Sequence, residues 1–377
     1  RTLYAVSANE LRYAYRKDGS GNYVGGYLVE DEVYNQQRYS EDLTQYGTQN
    51  CSITSNAADA PDGNTTADKF TENGSNSFHY TSGWTGFGTT TTFFAGQVYA
   101  LSCWAKFIES GRTWLNISIS NNNAKYETFF DIENGAVGSN NGTRSSGYIE
   151  DWGNGWYRCV AVFDVDTGMG AEWMQVMSAS ADGTFIYQGD SRDCFYLFGL
   201  QLEEADDGRA SSYIKTTNNP VQRLADELRY DASDGNVNLT DAKGAVVARV
   251  LVDDTDTAGD NTMVQILNSG INGDVIVLRE TSADVAEFEG YNGAPQWDIT
   301  GGAISDRDRH VVVGNWEAND IEMFHDGASQ GTDSSADIPT NMGQINCGCV
   351  QGGTEALNGL LVELLIYDRP LSTIPSV

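Results

Sequence analysis

The amino-acid sequence predicts an all-β protein built from two β-sandwich domains of jelly-roll type in tandem. Glycine is frequent, with 41 residues, whereas proline occurs only 6 times among 377 residues. Short runs of alternating apolar and polar residues are separated by clusters of Asn, Ser, Thr and Gly, and no stretch keeps a helical period for more than about two turns. A chain of this length is sufficient for two domains that each bury a core.

In the first half of the chain, alternation and turn residues predict a series of strands. They are expected at 97–107, 113–120, 127–135, 156–166 and 193–204. The last of them, DCFYLFGLQLEE, is apolar on both faces, as expected of a strand in the middle of a sandwich. A first domain at residues 1–219 accounts for these strands.

The pattern of residue types changes at KTTNNPVQRLADEL, residues 215–228. This segment is polar, contains a proline and lacks a strand pattern. This segment is interpreted as the connection between the domains. A second series of strands follows, at 244–253, 261–269, 273–280, 310–317, 320–327 and 359–369. Within it, Asp326-Gly327 predicts a hairpin turn. The second domain is therefore predicted at residues 220–377.

The stretch EDWGNGWYRC, residues 150–159, concentrates aromatic residues and glycine. Glycine favours positive φ, so Gly153-Asn154-Gly155 predicts a tight turn that leads into the strand 156–166. Trp156 begins a strand with large apolar residues at alternate positions, which indicates a core residue. The motif is therefore interpreted as architectural.

The formal net charge is −31, from 53 acidic and 22 basic residues. Such a field repels nucleic acid and anionic membrane surfaces, so neither is an expected partner. No apolar stretch reaches the length that spans a bilayer, and membrane insertion is not expected. Most of the acidic residues are interpreted as a solvated surface.

Six ordered motifs in the first half resemble one module of tailed-bacteriophage virion proteins. They are GYLVEDEVYNQQRYSEDLTQYG (26–47), NAADAPDGNTTADKF (56–70), LSCWAKF (101–107), NGWYRC (154–159), YLFGLQLEE (196–204) and SSYIKT (211–216). The opening departs from the module, which usually continues with Arg-Thr-Asn where this chain has Glu32-Val33-Tyr34-Asn35. The resemblance implies a carbohydrate-binding-module-like sandwich without catalytic residues.

The second half is similar to concanavalin A-like or laminin G-like sandwiches through IEMFHDGASQGTD and LNGLLVELLIYDRPLS. Together the halves resemble phage appendages: tail fibres, tail spikes or head fibres. The resemblance implies an exposed virion protein that contacts capsid or tail proteins and forms a homo-oligomer, by analogy a trimer. It also implies adhesion to host surface polysaccharide. The alternative is a secreted bacterial glycan-binding, lectin-like protein.

No catalytic residues are predicted. Glycoside hydrolases need two placed carboxylates, and the E-x-D-x-x-E strand of sandwich glucanases is not found; IEMFHD and VELLIYD lack its spacing. The chain has three histidines, His79, His310 and His325, and none lies in a G-x-S-x-G setting. Each is interpreted as an ordinary surface or strand residue.

No cofactor is predicted to be required, but calcium is considered. The loop VDDTDTAGD, residues 252–260, spaces oxygen ligands as calcium loops do, although it does not fit the EF-hand pattern. The calcium hypothesis names Asp254, Asp256 and Asp260, and its alternative is a solvated acidic loop.

A glycan site on a sandwich would use exposed aromatic rings flanked by Asn, Asp or Gln, since exposed aromatic patches mark interfaces. The loop GYNGAPQWD supplies the main candidates, Tyr291, Asn292, Gln296, Trp297 and Asp298. Trp84 and Tyr126 are further candidates outside the clean strand faces. The alternatives for these residues are packed turns and subunit contacts.

The cysteines leave two alternatives open. Cys103 and Cys159 lie on predicted strands, either as buried thiols or facing each other across the sandwich as a pair that oxidises. Cys347-Gly-Cys349 without a second pair is a weak zinc motif.

Overall fold

The computed structural model describes most of the chain. The described residues are 12–84, 93–120, 125–141, 144–166, 173–205, 208–231, 242–252, 259–268, 273–305, 307–340, 342–351 and 355–375. They form two compact units, the first of residues 33–223 and the second of 12–32 with 224–375. In the described part of the chain, regular structure consists of strands and one 3-10 turn at Leu43–Gln45, so the protein is all-β.

The chain begins with two strands of the second unit, β1 (Tyr13–Lys17) and β2 (Tyr23–Val29). It then forms the strands of the first unit: β3 (Val33–Asn35), β4 (Gly47–Gln49), β5 (Cys51–Ala58), β6 (Ala67–Glu72), β7 (Asn76–Ser77), β8 (Tyr80–Trp84), β9 (Gln97–Phe107), β10 (Trp114–Ser120), β11 (Lys125–Asp131), β12 (Ala136–Asn141), β13 (Ser145–Gly153), β14 (Trp156–Val165), β15 (Trp173–Ala179), β16 (Tyr187–Gln188), β17 (Asp193–Glu204) and β18 (Val221–Arg223).

The first unit is a sandwich of two six-stranded antiparallel sheets, ordered β12-β11-β10-β15-β8-β4 and β13-β14-β9-β17-β6-β5. Its main core lies between them and includes Phe70, Leu101, Ile117, Phe130 and Phe195. Cys103 and Cys159 are direct partners on β9 and β14, so they are neighbours within one sheet and do not face each other across the sandwich. Both thiols are buried and free.

The remaining strands belong to the second unit: β19 (Leu228–Asp231), β20 (Lys243–Val252), β21 (Asn261–Leu267), β22 (Asp274–Glu280), β23 (Val285–Asn292), β24 (Pro295–Ala303), β25 (Arg309–Glu317), β26 (Asp320–His325), β27 (Ala328–Asp333), β28 (Gln344–Cys347) and β29 (Gly359–Tyr367). They form a seven-stranded sheet ordered β1-β2-β29-β20-β25-β26-β27 and a six-stranded sheet ordered β19-β28-β21-β22-β23-β24. The core between them includes Val250, Ile266, Phe288 and Trp297.

The two predicted sandwiches are therefore present, but the division between them differs from the prediction. Residues 12–32 were expected in the first domain, whereas β2 pairs with β29 through Tyr27 and Leu361 in the second unit. The segment 215–228, expected to be a connection without strands, contains β18, which pairs with β3. Both differences come from pairing between distant parts of the chain, which local sequence patterns do not report.

The two predicted turns are confirmed. β13 and β14 are joined through Gly153, Asn154 and Gly155, whose φ angles are 78°, 52° and 77°. β26 and β27 are joined by Asp326 and Gly327, both with positive φ, as a two-residue hairpin requires. Trp156 is 4% exposed, which confirms its predicted place in the core.

Among the described residues, no helix is long and apolar enough to cross a membrane.

Candidate functional site

A cavity of about 380 Å³ lies on the outer face of the six-stranded sheet of the second unit. Register places Gln265 of β21, Val277 of β22 and Glu289 of β23 side by side, with their side chains on the face opposite the core. The side chains that line the cavity combine an apolar floor with polar walls: Leu267, Val275, Val277, Gln265, Asp274, Arg279, Glu289, Tyr291, Val350, Gln351 and Glu355. We call this cavity the sheet pocket.

Arg279 organises the charges beside the sheet pocket. Its guanidinium is 2.7 Å from one carboxylate oxygen of Glu287, 2.7 Å from one of Glu289 and 3.0 Å from one of Asp260. Burial acts to lower the pKa of Arg279, but these carboxylates outweigh it and raise the pKa. Burial raises the pKa of Glu287 and Glu289, and Arg279 opposes that shift. The guanidinium therefore stabilises a partly desolvated group of acids.

The sheet pocket has the chemistry of a site for a small polar molecule. Concave sites usually combine an apolar lining with a few placed polar groups, in volumes of about 300–1,000 Å³. Gln265, Asp274 and Gln351 supply amide and carboxylate groups, and Tyr291 supplies a half-buried ring. Hydroxyl groups of a ligand would find both donors and acceptors on these walls.

The predicted glycan loop GYNGAPQWD is a β-hairpin between β23 and β24. Tyr291 lines the sheet pocket, and its hydroxyl donates to Glu289 Oε1 at 3.4 Å. Asp298 is exposed and pairs in register with Glu289. Asn292 is exposed at the end of β23, and Gln296 Nε2 donates to the carbonyl of Ala294 at 3.2 Å. Of the five residues predicted in this loop, only Tyr291 lines the pocket.

Two predicted stacking residues are core residues instead. Trp297 is 3% exposed and packs on Phe288, with ring centroids 5.6 Å apart. Its ring lies over Gly290, where a Cβ would come within 2.1 Å. Tyr126 is 6% exposed, and its hydroxyl donates to Asp166 at 2.6 Å. Both were expected to be exposed, but alternation on β24 and β11 turns them inward. Trp84 is the last residue of β8, and its side chain lies outside the described part of the chain.

A group of metal-ligating side chains that the sequence did not predict lies at one hairpin of the second unit. His310 Nδ1, His325 Nε2 and Asp326 Oδ2 are 3.0–3.3 Å apart. However, the backbone N–H of Ser305 donates to His310 Nε2 at 3.1 Å. A neutral imidazole that accepts at Nε2 carries its proton on Nδ1, the atom that would have to bind the metal. The arrangement is therefore a hydrogen-bonded group.

Of the three predicted calcium ligands, the structure describes only Asp260. Asp254 and Asp256 lie outside the described residues. Asp260 accepts from the backbone N–H of Ser282 and pairs with Arg279. The nearby acids Glu287, Glu289 and Asp298 are close enough to hold a cation, but the guanidinium of Arg279 already lies against two of them. Calcium binding by this chain stays a prediction.

The motifs of the first half meet in a buried hydrogen-bond network. Glu203 accepts from both the backbone N–H and the hydroxyl of Ser211, and Gln201 accepts from the N–H of Ile214 at 2.7 Å. The hydroxyls of Ser40 and Tyr213 are 2.8 Å apart. These bonds join the opening motif, the strand YLFGLQLEE and the closing SSYIKT. The motifs therefore satisfy buried polar groups, and their role is structural.

No protein-family model and no curated protein sequence matches the chain. Among solved structures, a sialidase CBM40 from Ruminococcus gnavus bound to α2,3-sialyllactose is 17% identical, over 35% of this chain and 79% of that one, with a TM-score of 0.31. Mouse laminin α1 domains LG4-5 are 12% identical, over 74% and 84%, with a TM-score of 0.25. The LG1-3 region of the laminin α2 chain is 9% identical, over 77% and 66%, with a TM-score of 0.30. Likenesses this distant carry no argument about the site, and the sandwich assignment rests on the strand pairing of this chain.

Most residues of the sheet pocket were missed because they lie on strands rather than in a loop. The detectable signal is the alternation E-x-E-x-Y at Glu287, Glu289 and Tyr291 on β23, with Arg279 directly opposite Glu287 on β22. Strands with polar residues at every second position present them on one face. Recognising the pocket also required Gln351 and Glu355, which come from beyond β28.

Proposed function

We propose that this protein is a non-enzymatic glycan-binding adhesion protein and that the sheet pocket holds a sugar. The observation that carries the proposal is the pocket itself, an apolar floor with amide, carboxylate and guanidinium groups converging on about 380 Å³. A pyranose presents an apolar C–H face and a rim of hydroxyls, which suits such a lining. Tyr291 at the wall supplies a ring surface for stacking.

The geometry of the acids favours binding over hydrolysis. A glycosidase needs one carboxyl group that donates a proton and a second that acts as base or nucleophile. Here the side chains of Glu287 and Glu289 both contact the guanidinium of Arg279 at 2.7 Å, so the two carboxylates share one cation as their ion-pair partner. Incubation with host polysaccharide is expected to release no reducing ends.

The pocket is tested with the variant Tyr291→Ala. We expect a monosaccharide from the panel glucose, galactose, mannose and N-acetylglucosamine to bind in saturation-transfer NMR with millimolar affinity, and the variant to weaken it about tenfold through loss of ring contact. Tyr34→Ala is the matched control, since Tyr34 is an exposed tyrosine of the first unit. Equal affinity in Tyr291→Ala and the control would refute the pocket as the sugar site.

The biological setting that we propose is the exposed surface of a tailed-phage virion, on tail or head. Support comes from the ordered motifs, which the buried network joins into one structural module. Many weakly binding copies on a particle raise avidity well above the affinity of one site. Homo-oligomerisation and contacts with capsid or tail proteins belong to this proposal. The second candidate is a secreted bacterial glycan-binding protein, which the same pocket would serve.

Immunogold electron microscopy of purified particles separates the two settings. Label at fixed points on the virion is expected, and its position distinguishes head from tail. Bare particles, with the protein in the culture medium, would favour the secreted lectin.

A further inference from the structure

The first two strands of the second unit carry a row of exposed tyrosines that the sheet pocket does not use. Register pairs Tyr13 with Tyr27, Tyr15 with Gly25 and Lys17 with Tyr23, so these side chains share one face. The tyrosines are 40–58% exposed. We call the surface formed by Tyr13, Tyr15, Tyr23 and Tyr27 the tyrosine shelf.

The tyrosine shelf continues the inner face of the seven-stranded sheet beyond the core. Tyr27 of β2 lies opposite Leu361 of β29, and directly opposed residues point to the same side. Leu361 is 4% exposed and belongs to the core, whereas Tyr27 is 40% exposed. The inner face therefore changes from buried to exposed between β29 and β2, and the residues at that point are tyrosines rather than aliphatic residues.

The rings of the shelf are held in place by their packing. Tyr13 makes edge-to-face contacts with Tyr15 and Tyr27, each with ring centroids 5.5 Å apart. Gly25 makes room for two of them, since a Cβ there would come within 2.6 Å of the Tyr13 hydroxyl and 2.8 Å of the Tyr15 ring. A preorganised aromatic surface loses little side-chain entropy when a ligand binds.

Size and charge indicate what the shelf binds. At 40–58% exposure, four tyrosines present on the order of 400 Å², about half of what each partner buries in a stable protein interface. On this face of β1 and β2 the one charged side chain is Lys17, whose Nζ lies 5.2 Å from the ring centroid of Tyr23. The chain as a whole has a net charge of −31. This face of β1 and β2, in contrast, presents phenol hydroxyls, aromatic rings and one ammonium group, and it carries no carboxylate.

We propose that the tyrosine shelf is a second glycan-binding surface, one that takes several consecutive sugar rings of a polysaccharide chain. Tyr23 and Tyr27 are four residues apart on β2, which spreads the rings over roughly 13 Å along the strands. The C–H faces of the sugars stack on the tyrosine rings. The phenol hydroxyls and the Lys17 ammonium group form hydrogen bonds with the hydroxyl groups of the sugars. The proposal shares its ligand class with the proposed function and in that respect rests on it.

The test compares chain length. Wild-type protein is titrated calorimetrically with maltohexaose, cellohexaose and N-acetylchitohexaose and with the corresponding monosaccharides. At least one hexasaccharide is expected to bind more tightly than its monosaccharide. The double variant Tyr13→Ala/Tyr27→Ala is expected to lower the affinity for that hexasaccharide about tenfold. Tyr13→Phe/Tyr27→Phe keeps the rings and should retain most of the gain. Because the tyrosines are exposed, the melting temperature should change little.

Different results would contradict the proposal for the sheet pocket and the proposal for the tyrosine shelf. If Tyr291→Ala abolishes hexasaccharide binding and the shelf variant binds normally, the shelf proposal is overturned and the pocket stands. The reverse result supports the shelf, and the pocket is then judged by monosaccharide binding to Tyr291→Ala alone. Binding of none of the three hexasaccharides at millimolar concentration also overturns the shelf. So does a change of oligomeric state in Tyr13→Ala/Tyr27→Ala without a change in glycan affinity, since it assigns the surface to a second copy.

Discussion

Replacing Arg279 with methionine is expected to destabilise the second unit by about 3–5 kcal/mol and to create a calcium site. The change removes the cation from Glu287, Glu289 and Asp260 and leaves partly buried carboxylates without their partner, which is the costly way to break such a group. Glu287, Glu289 and Asp298 can place one oxygen each within 4.8 Å of one another. Oxygen ligands of this kind suit calcium.

Urea denaturation with and without 5 mM calcium, a concentration on the order of the weakest calcium sites, measures both effects. Calcium is expected to restore part of the stability of Arg279→Met and to stabilise this variant more than it stabilises wild type. Arg249→Met is the control, because Arg249 makes a surface ion pair with Glu363. An equal calcium response in wild type would contradict the argument, since it would mean that a cation binds beside Arg279.

The deficit of Arg279→Met should also depend on pH. Glu287 and Glu289 have pKa values raised above their ordinary 4.5 by burial, and losing Arg279 raises them further. A carboxyl group whose pKa is higher in the folded than in the unfolded state stabilises the folded state at pH values below its unfolded-state pKa. This stabilisation is lost as pH rises through its folded-state pKa. The deficit is therefore expected to shrink as pH falls toward 4.5. A deficit that grows on acidification would exclude this cause.

Trp104→Ala is expected to cost the first unit about 3–5 kcal/mol, since it leaves a large cavity in a well-packed core. The Trp104 side chain is fully buried, with ring centroids 5.1 Å from Trp152 and 5.3 Å from Tyr213 and the Arg158 guanidinium 4.7 Å from its ring. Gly199 lies against it, where a Cβ would come within 2.8 Å of the ring. This ring cluster links the strand LSCWAKF to the strand YLFGLQLEE.

Hydrogen exchange by mass spectrometry locates the loss. Amides of β9, β14 and β17 are expected to exchange faster in Trp104→Ala, while β20–β25 keep their protection. Trp104→Phe is the control: it retains most of the volume and removes an indole N–H that has no hydrogen-bond partner, so its cost should be below about 1.5 kcal/mol. Equal exchange in the two variants would argue against the cavity as the cause.

Several local features were predicted correctly because each follows from neighbouring residues. The strand at 97–107 is β9 and that at 193–204 is β17, since apolar runs bounded by turn residues mark both strands. The turn at Gly153–Gly155 follows from the ease with which glycine and asparagine adopt positive φ. The candidate glycan residues were predicted less well, because Trp297 and Tyr126 face the core while Tyr291 lines the pocket.

The sequence by itself determined the fold class, the number of sandwiches and the structural role of the Gly-rich turn, because periodicity and turn chemistry are local properties. Only the tertiary structure decided that β1 and β2 join the second unit, since the pairing of Tyr27 with Leu361 spans nearly the whole chain. It alone brought Arg279, Glu289 and Gln351 around one cavity and set four tyrosines on one exposed face. Whether the apolar face of a strand is covered or stays exposed, as at the tyrosines of β1 and β2, depends on what packs against it, and alternation alone does not report that.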